Sequence, residues 1–265
     1  MVNSSITIYT LPCLSDNYAY VIHNRATGTA AVVDVPEAGP LVDKISQLNL
    51  SVTDIFLTHH HWDHIDGLPD LQAALTGSLG QSRARVIGAK ADSHRLPALD
   101  QAVGPGDRVT LCGIEGDIYD VSGHTLGHLA LHLPSAKAVF SADSLMAMGC
   151  GRLFEGSAVQ MWHSLQQFRS LSKDTWVYSG HEYTATNMAF TQSLGEDNPA
   201  IAARAGQITK DRAAGQATVP SLLSIELQTN PFLRADNPAL QAAVGMPGAT
   251  AEQVFTEIRS RRDKF

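Results

Sequence analysis

Short β-rich runs alternate with helical stretches through the first two-thirds of the chain. The apolar pattern predicts strands at 6–10, 18–23, 29–34, 53–57, 84–88, 117–121, 128–133, 137–141 and 175–179. Helical spacing predicts helices near 38–48, 65–75 and 158–171, the last through Val159, Trp162, Leu165, Phe168 and Leu171. Several strands are joined by turns, which argues against a doubly wound parallel sheet and for packed sheets covered by helices. The polar stretch 76–83 reads as a surface loop. Beyond about residue 181 the strand signal stops, and helical patterns follow at 183–194, 198–213, 238–244 and 250–262. In the last of these, Thr250 is placed as N-cap and Glu252 adds negative charge at the positive end. Val254, Phe255 and Ile258 form its apolar stripe, and Arg259 and Arg262 share a face. The expected class is α+β: a β-rich domain over 1–181, then a small helical domain over 182–265.

Composition narrows the function. The chain has 265 residues, of which 44% are hydrophobic, enough for a real core. No apolar run approaches the roughly 20 residues of a membrane helix. The start, Met1-Val2-Asn3-Ser4-Ser5, lacks the basic and apolar segments of a secretory signal, so the expected compartment is the cytoplasm. Cys13, Cys112 and Cys150 are odd in number and widely spaced, which implies no disulfide framework. A net charge of −7 argues against nucleic acid as the main partner, though a local basic patch could still serve a small anion.

The chemistry concentrates at Thr58-His59-His60-His61-Trp62-Asp63-His64, directly after the apolar run Ile55-Phe56-Leu57. Imidazole nitrogen and carboxylate oxygen suit a zinc-class ion, and folding alone does not call for so many titratable groups in one place. In an extended segment His59, His61 and Asp63 face together, while His60 and Trp62 point into packing or solvent. His64 opens a helix and reaches a neighbouring point. Such a run can serve two ions, each needing further ligands. Candidates stand at strand ends in Ser122-Gly123-His124-Thr125, Ser141-Ala142-Asp143 and Ser179-Gly180-His181.

The order Thr-His-x-His-x-Asp-His, Gly-His-Thr, Asp, Gly-His resembles the metallo-β-lactamase-fold hydrolases, and within them glyoxalase II, the hydroxyacylglutathione hydrolases. The resemblance continues through Leu11-Pro12-Cys13-Leu14-Ser15-Asp16-Asn17-Tyr18 and Gly149-Cys150-Gly151-Arg152-Leu153-Phe154-Glu155-Gly156. It also takes in Ser179-Gly180-His181-Glu182-Tyr183-Thr184, Asn230-Pro231-Phe232-Leu233-Arg234 and Arg261-Arg262-Asp263-Lys264-Phe265. It implies a four-layered αβ/βα metallo-β-lactamase sandwich with a C-terminal all-helical domain that binds glutathione. Carried over by position, His59, His61 and His124 would hold one divalent metal, Asp63, His64 and His181 a second, and Asp143 would bridge them. Zinc is the expected ion; the family also accepts iron and manganese.

The implied reaction is hydrolysis of S-(2-hydroxyacyl)glutathione, typified by S-D-lactoylglutathione, to glutathione and a 2-hydroxy acid by a metal-bridging hydroxide, the second step of methylglyoxal detoxification. Asp63 would also help orient that hydroxide. The thiolate leaving group has a pKa of roughly 8.5–9 and needs little acid assistance. The resemblance places substrate binding at Arg152, Leu153, Phe154, Tyr183, Arg259 and Arg262; arginine suits the carboxylates of glutathione. Two positions depart from the common pattern: Arg152 where lysine is frequent, and Phe154 where many members carry a tyrosine hydroxyl. The expected protein is a monomer acting on a small molecule, without nucleic acid or membrane. The competing readings are a glutathione-dependent persulfide dioxygenase or another metallo-β-lactamase-fold hydrolase. His23, His94, His132 and His163 read as surface or packing residues, and Cys150 lacks an activating base.

Overall fold

The computed structural model describes residues 5–265; Met1 to Ser4, on which the reading of the N-terminus largely rests, lie outside them. The chain falls into two compact units, residues 1–120 with 127–140, and residues 121–126 with 141–265.

In the first unit β1 (Ile6–Cys13), β2 (Asn17–Asn24) and β3 (Thr29–Val33) form an antiparallel meander. The chain then crosses through α1 (Gly39–Leu48) to β4 (Ser51–Phe56), which lies parallel to β3. After α2 (Trp62–Ile65) and α3 (Leu68–Thr76) it adds β5 (Arg85–Ala89) and β6 (Gln101–Val103), again parallel. The sheet is therefore mixed, antiparallel at one edge and parallel from β3 onward, with strand order β1 to β6. Its core residues, among them Val21, Ile22, Val32, Ile55, Phe56 and Ile87, are fully enclosed. The parallel half has a consequence for function: carboxyl ends of parallel strands lie side by side, where open α/β sheets collect their ligands. A second ladder runs antiparallel through β7 (Arg108–Leu111), β8 (Ile114–Asp120), β9 (Leu129–Leu133) and β10 (Ala138–Ala142). Strands β6 and β7 fall outside the predicted set.

The second unit opens with the two-residue strands β11 (Leu145–Met146) and β12 (Gly149–Cys150), which pair as a hairpin. Helix α4 (Ala158–Arg169) follows, its first turn closed by a capping box between Ser157 and Gln160. Trp162, Leu165 and Phe168 of its predicted stripe are buried; Val159, in the first turn, is exposed, and Leu171 lies past the helix end. Next come β13 (Trp176–Ser179), α5 (Thr184–Ser193), α6 (Pro199–Ala213), β14 (Ser221–Leu222), α7 (Leu223–Thr229), α8 (Pro238–Ala243) and α9 (Ala251–Lys264). The strand signal does not stop entirely at 181, because β14 pairs antiparallel with β13. Thr250 caps α9 as predicted, with Gln253 closing the box. Val254, Phe255 and Ile258 are buried, Phe255 against Trp162 and Phe232. Glu226 is fully enclosed and held by Arg204, by Asn230 Nδ2 at 3.1 Å and by the Met148 amide at 2.9 Å. No helix among the described residues is long and apolar enough to cross a membrane.

Candidate metal centre

The first unit contains His59, His61, Asp63 and His64. His59 and His61 leave β4 in extended backbone, so their rings meet, Nε2 to Nδ1 at 3.1 Å. The helix begins at Trp62, one turn-step earlier than predicted, so Asp63 and His64 both lie inside α2. Asp63 is anchored by Asn17 Nδ2, which donates to its carbonyl at 2.9 Å and its Oδ2 at 3.0 Å. Its Oδ2 stands 3.9 Å from His64 Nε2.

Asp34, just past β3, organises this set. It is buried, with φ +57°, a left-handed conformation that aspartate tolerates better than most residues. Parallel pairing of β3 with β4 brings it beside the loop after β4: its amide donates to the Phe56 carbonyl at 3.0 Å. Its carboxylate accepts from the Thr58 amide, from Thr58 Oγ1 and from His64 Nδ1, each at 2.8 Å. Because the Thr58 hydroxyl proton goes to Asp34, its oxygen is left to accept from His59 Nδ1 at 3.0 Å. One carboxylate thus fixes two imidazole tautomers and turns Nε2 of both rings into a lone-pair donor.

The second unit contains His124, Asp143 and His181. His124 Nδ1 donates to the Arg152 carbonyl at 2.8 Å, which leaves the lone pair on Nε2. The Asp143 Oδ2 atom lies 3.4 Å from His124 Nε2 and 3.3 Å from His181 Nε2. Donors held about 2.0–2.1 Å from a tetrahedral ion stand about 3.3 Å from one another, so these spacings suit shared ions. Two glycines make the arrangement possible. A Cβ on Gly151 would sit 1.9 Å from the Asp143 carbonyl oxygen and 3.0 Å from His124 Nδ1. Gly123, before His124, has φ +149° and packs against Met161.

The predicted substrate residues lie in the second unit. Tyr183 stacks on His181, centroids 4.7 Å apart, and Phe154 meets His124 edge-on at 5.3 Å. Phe154 is exposed and Leu153 half-buried, with the Arg152 guanidinium 6.0 Å from the Phe154 ring. Arg259 is not on a solvated face: it is buried, and its Nη1 donates to the Cys150 carbonyl at 3.1 Å and the Gly151 carbonyl at 3.4 Å. It therefore props the backbone next to Asp143 and His124. Arg262 donates to Asn187 Oδ1 at 3.3 Å, and burial together with the nearby Arg259 charge draws its pKa down.

Among the other histidines, His60 directs its Nδ1 to the buried Asp92 carboxylate, 3.1 Å from Oδ2, with its ring 4.9 Å from that of His61. His128 is buried and stacks on His59 at 4.6 Å; its spacing four after His124 was the only sequence hint of such a place. His94 and His163 are exposed, and His23 and His132 pack beside Tyr9 and Tyr119. Burial pushes the Cys150 thiol up, against the pull of Arg259, which is the reverse of what a nucleophile needs. Asp34, Asn17, Thr58 and Asp92 were not picked out by the sequence as site residues. The one signal for Asp34 is a charged residue interrupting the apolar run Val32-Val33-Asp34-Val35.

Comparison with known proteins identifies the family. Residues 15–80 match the model of the metallo-β-lactamase superfamily, and 182–265 that of the hydroxyacylglutathione hydrolase C-terminus. A hydroxyacylglutathione hydrolase of Ruegeria pomeroyi is 54% identical over 260 residues, 98% of this chain and 99% of its own length. One from Jannaschia sp. is 54% identical over 258 residues, covering 97% of this chain and 98% of its own. Among solved structures, the BLEG-1 B3 metallo-β-lactamase superposes with TM-score 0.64 at 18% identity, over 86% of this chain and 99% of that one. ETHE1 from Myxococcus xanthus gives 0.62 at 22%, over 96% and 90%; both show the shared fold alone. The superfamily match and the groups of histidine and aspartate able to hold an ion establish divalent-metal binding. The α+β fold is of the metallo-β-lactamase type, and the chain belongs to the hydroxyacylglutathione hydrolases, glyoxalase II.

Proposed function

We propose that this chain hydrolyses S-(2-hydroxyacyl)glutathione thioesters, S-D-lactoylglutathione being the type substrate, to glutathione and a 2-hydroxy carboxylate. His59, His61 and His124 would hold one ion, Asp63, His64 and His181 the other, with Asp143 shared. Bound there, two divalent ions, zinc by preference, would supply hydroxide at neutral pH and Lewis-acid polarisation of the thioester carbonyl. The observation that carries this reading is the pinning of three of the ligand tautomers through Nδ1: Asp34 and Thr58 hold His64 and His59, and the Arg152 carbonyl holds His124, so that each presents a lone pair at Nε2.

The protein's own residues then orient the substrate. Asp63, whose carboxylate accepts from Asn17, would accept a hydrogen bond from the attacking group. Tyr183 and Arg262 line the route for the glutathione carboxylates, with Arg152 exposed beside them. Arg259 acts on that route by holding the 150–151 backbone. We assign residues 182–265 as the glutathione-binding domain, and the monomer and the cytoplasm as the working state and place. With Phe154 in place of the family's frequent tyrosine, glutathione is held by charge and ring contact at that point and not by a phenol.

The deciding experiment measures S-D-lactoylglutathione hydrolysis by protein of known metal content. Turnover is expected with about two ions per chain, and an Asp143→Asn variant should lose both turnover and one ion. Metal-loaded protein that leaves the thioester intact, with Asp143→Asn behaving identically, would falsify the assignment.

A further inference from the structure

Helices α6 and α7 and the segment 217–222 line a cavity of about 460 Å³ that shares no residue with the metal or substrate sets above. The size falls in the range of small-molecule pockets, about 300–1,000 Å³. Trp176, Leu222 and Ile225 form apolar walls, with Trp176 and Ile225 among the exposed large hydrophobic residues. Two hydroxyls in the lining, Thr184 Oγ1 and Ser221 Oγ, are buried without a hydrogen-bond partner in the protein. Their residues are only 1% and 8% exposed, so the hydroxyls cannot turn to bulk solvent. Buried hydroxyls are normally satisfied, and two unsatisfied ones lining one cavity mark a place where something polar is received.

The charges nearby set the sign of the ligand. Arg204 is matched by Glu226 and donates to Thr229 Oγ1 at 2.6 Å. Asp211 already accepts from the Gln207 side chain at 2.7 Å. The cationic group in the lining is thus committed, and an anion entering this space would meet the Asp211 carboxylate without a free cation. We propose that this cavity is a second, non-catalytic binding site for a small uncharged ring compound bearing a hydroxyl. Its ring packs on Trp176 and Ile225, and its hydroxyl exchanges hydrogen bonds with Thr184 and Ser221.

The test is a titration of the full-length, metal-loaded protein with 2-naphthol, followed by backbone amide NMR shifts. Saturable shifts confined to the lining residues are expected. Ala203→Trp fills the mouth from the solvent side of α6 and should weaken binding at least about tenfold with thioester turnover unchanged. The Thr184→Val/Ser221→Ala pair, checked for an unchanged fold by circular dichroism, should weaken it by about tenfold, the worth of a lost hydrogen bond or two. The anion 2-naphthoate should bind at least about tenfold more weakly than 2-naphthol. Absence of saturable binding at millimolar naphthol, shifts elsewhere, or indifference to Ala203→Trp would mean a hydrated cavity only. Equal binding of 2-naphthoate, or no loss in the hydroxyl variant, would overturn the ligand class.

Discussion

Replacing Asp34 by asparagine isolates the buried carboxylate that orients His64 and, through Thr58, His59. Asparagine keeps the shape and tolerates φ +57°, so the backbone is not strained by the change. The carboxylate it replaces accepts three hydrogen bonds, from the Thr58 amide, Thr58 Oγ1 and His64 Nδ1, all at 2.8 Å. The amide has one oxygen and one NH2, so at least one of these donors must face another donor. If the oxygen stays on the Thr58 amide, the NH2 confronts both the hydroxyl and His64. The imidazole then loses its charge-assisted acceptor, and its Nε2 tautomer is no longer imposed. Loss of such an outer partner typically costs 10–100-fold in metal affinity, or about 1.4–2.7 kcal/mol. The assay is competition between the protein and a chromophoric zinc chelator, run beside chemical denaturation of the metal-free forms. The expected result is affinity weakened by about that factor in Asp34→Asn, with the ion lost first from the His64 position. Zinc affinity equal to wild type, with the apo stability also unchanged, would refute the idea that Asp34 sets these tautomers.

Gly151→Ala places a methyl 1.9 Å from the Asp143 carbonyl oxygen, a backbone atom that cannot yield cheaply. It should lower the melting temperature and the metal content together, at a cost of at least about 1–3 kcal/mol, and a wild-type melting curve would contradict this. Arg259→Met removes charged hydrogen bonds to the Cys150 carbonyl and to Asp263 while keeping much of the buried stem. A loss of about 1.5–3 kcal/mol in urea denaturation is expected, against little change if the guanidinium is idle. Burial raises the thiols of Cys13 and Cys112 from 9.0 to about 12. At pH 8 that is about a thousandfold less thiolate, so maleimide should label them in unfolded but not native protein, as judged by intact mass. Removing the metal with chelator should lower the melting temperature; at about 1,000 Kd of free ion the bound form gains about 4 kcal/mol, and coincident apo and holo curves would argue against a metal that binds only the folded state.

How much of this was visible in the sequence depends on how local each feature is. His59, His61, Asp63 and His64 could be read because all four stand in one run behind a strand. Asp34 could not, because its partners arrive only when β3 and β4 pair in parallel, bringing Thr58 and His64 from 24 and 30 residues away. The same holds for Asp92, whose pairing with His60 spans 32 residues. Short elements escaped for a different reason: β6 has three residues, β14 two and α7 seven, too few to show a period. Arg259 and Arg262 were rightly placed on one helix face, but periodicity does not say that the Arg259 end of that face is covered by the 150–151 turn. The seams of the second unit were likewise hidden, since Glu226 sits in an unremarkable polar position until Arg204 and Asn230 close on it.

The buried acids separate into two kinds, and the difference ties the fold to the chemistry. Asp54 is met by Arg85, Asp92 by Arg95, Glu196 by Arg234 and Glu226 by Arg204. In each case an always-charged guanidinium balances the carboxylate, and these acids belong to the framework. Asp34 is as deeply placed, yet it is held by an amide, a hydroxyl and an imidazole, with no arginine or lysine. A buried carboxylate is costly without a compensating cation. The imidazole it holds keeps its Nε2 out of this hydrogen bond, so in the proposed metal-bound form the positive charge that offsets Asp34 would reach it through His64. The first kind of acid stabilises the protein whatever occupies the centre. On the proposed reading the second would be stabilised by what the centre binds, and for that reason its charge would mark the function where the composition and the helix and strand periods do not.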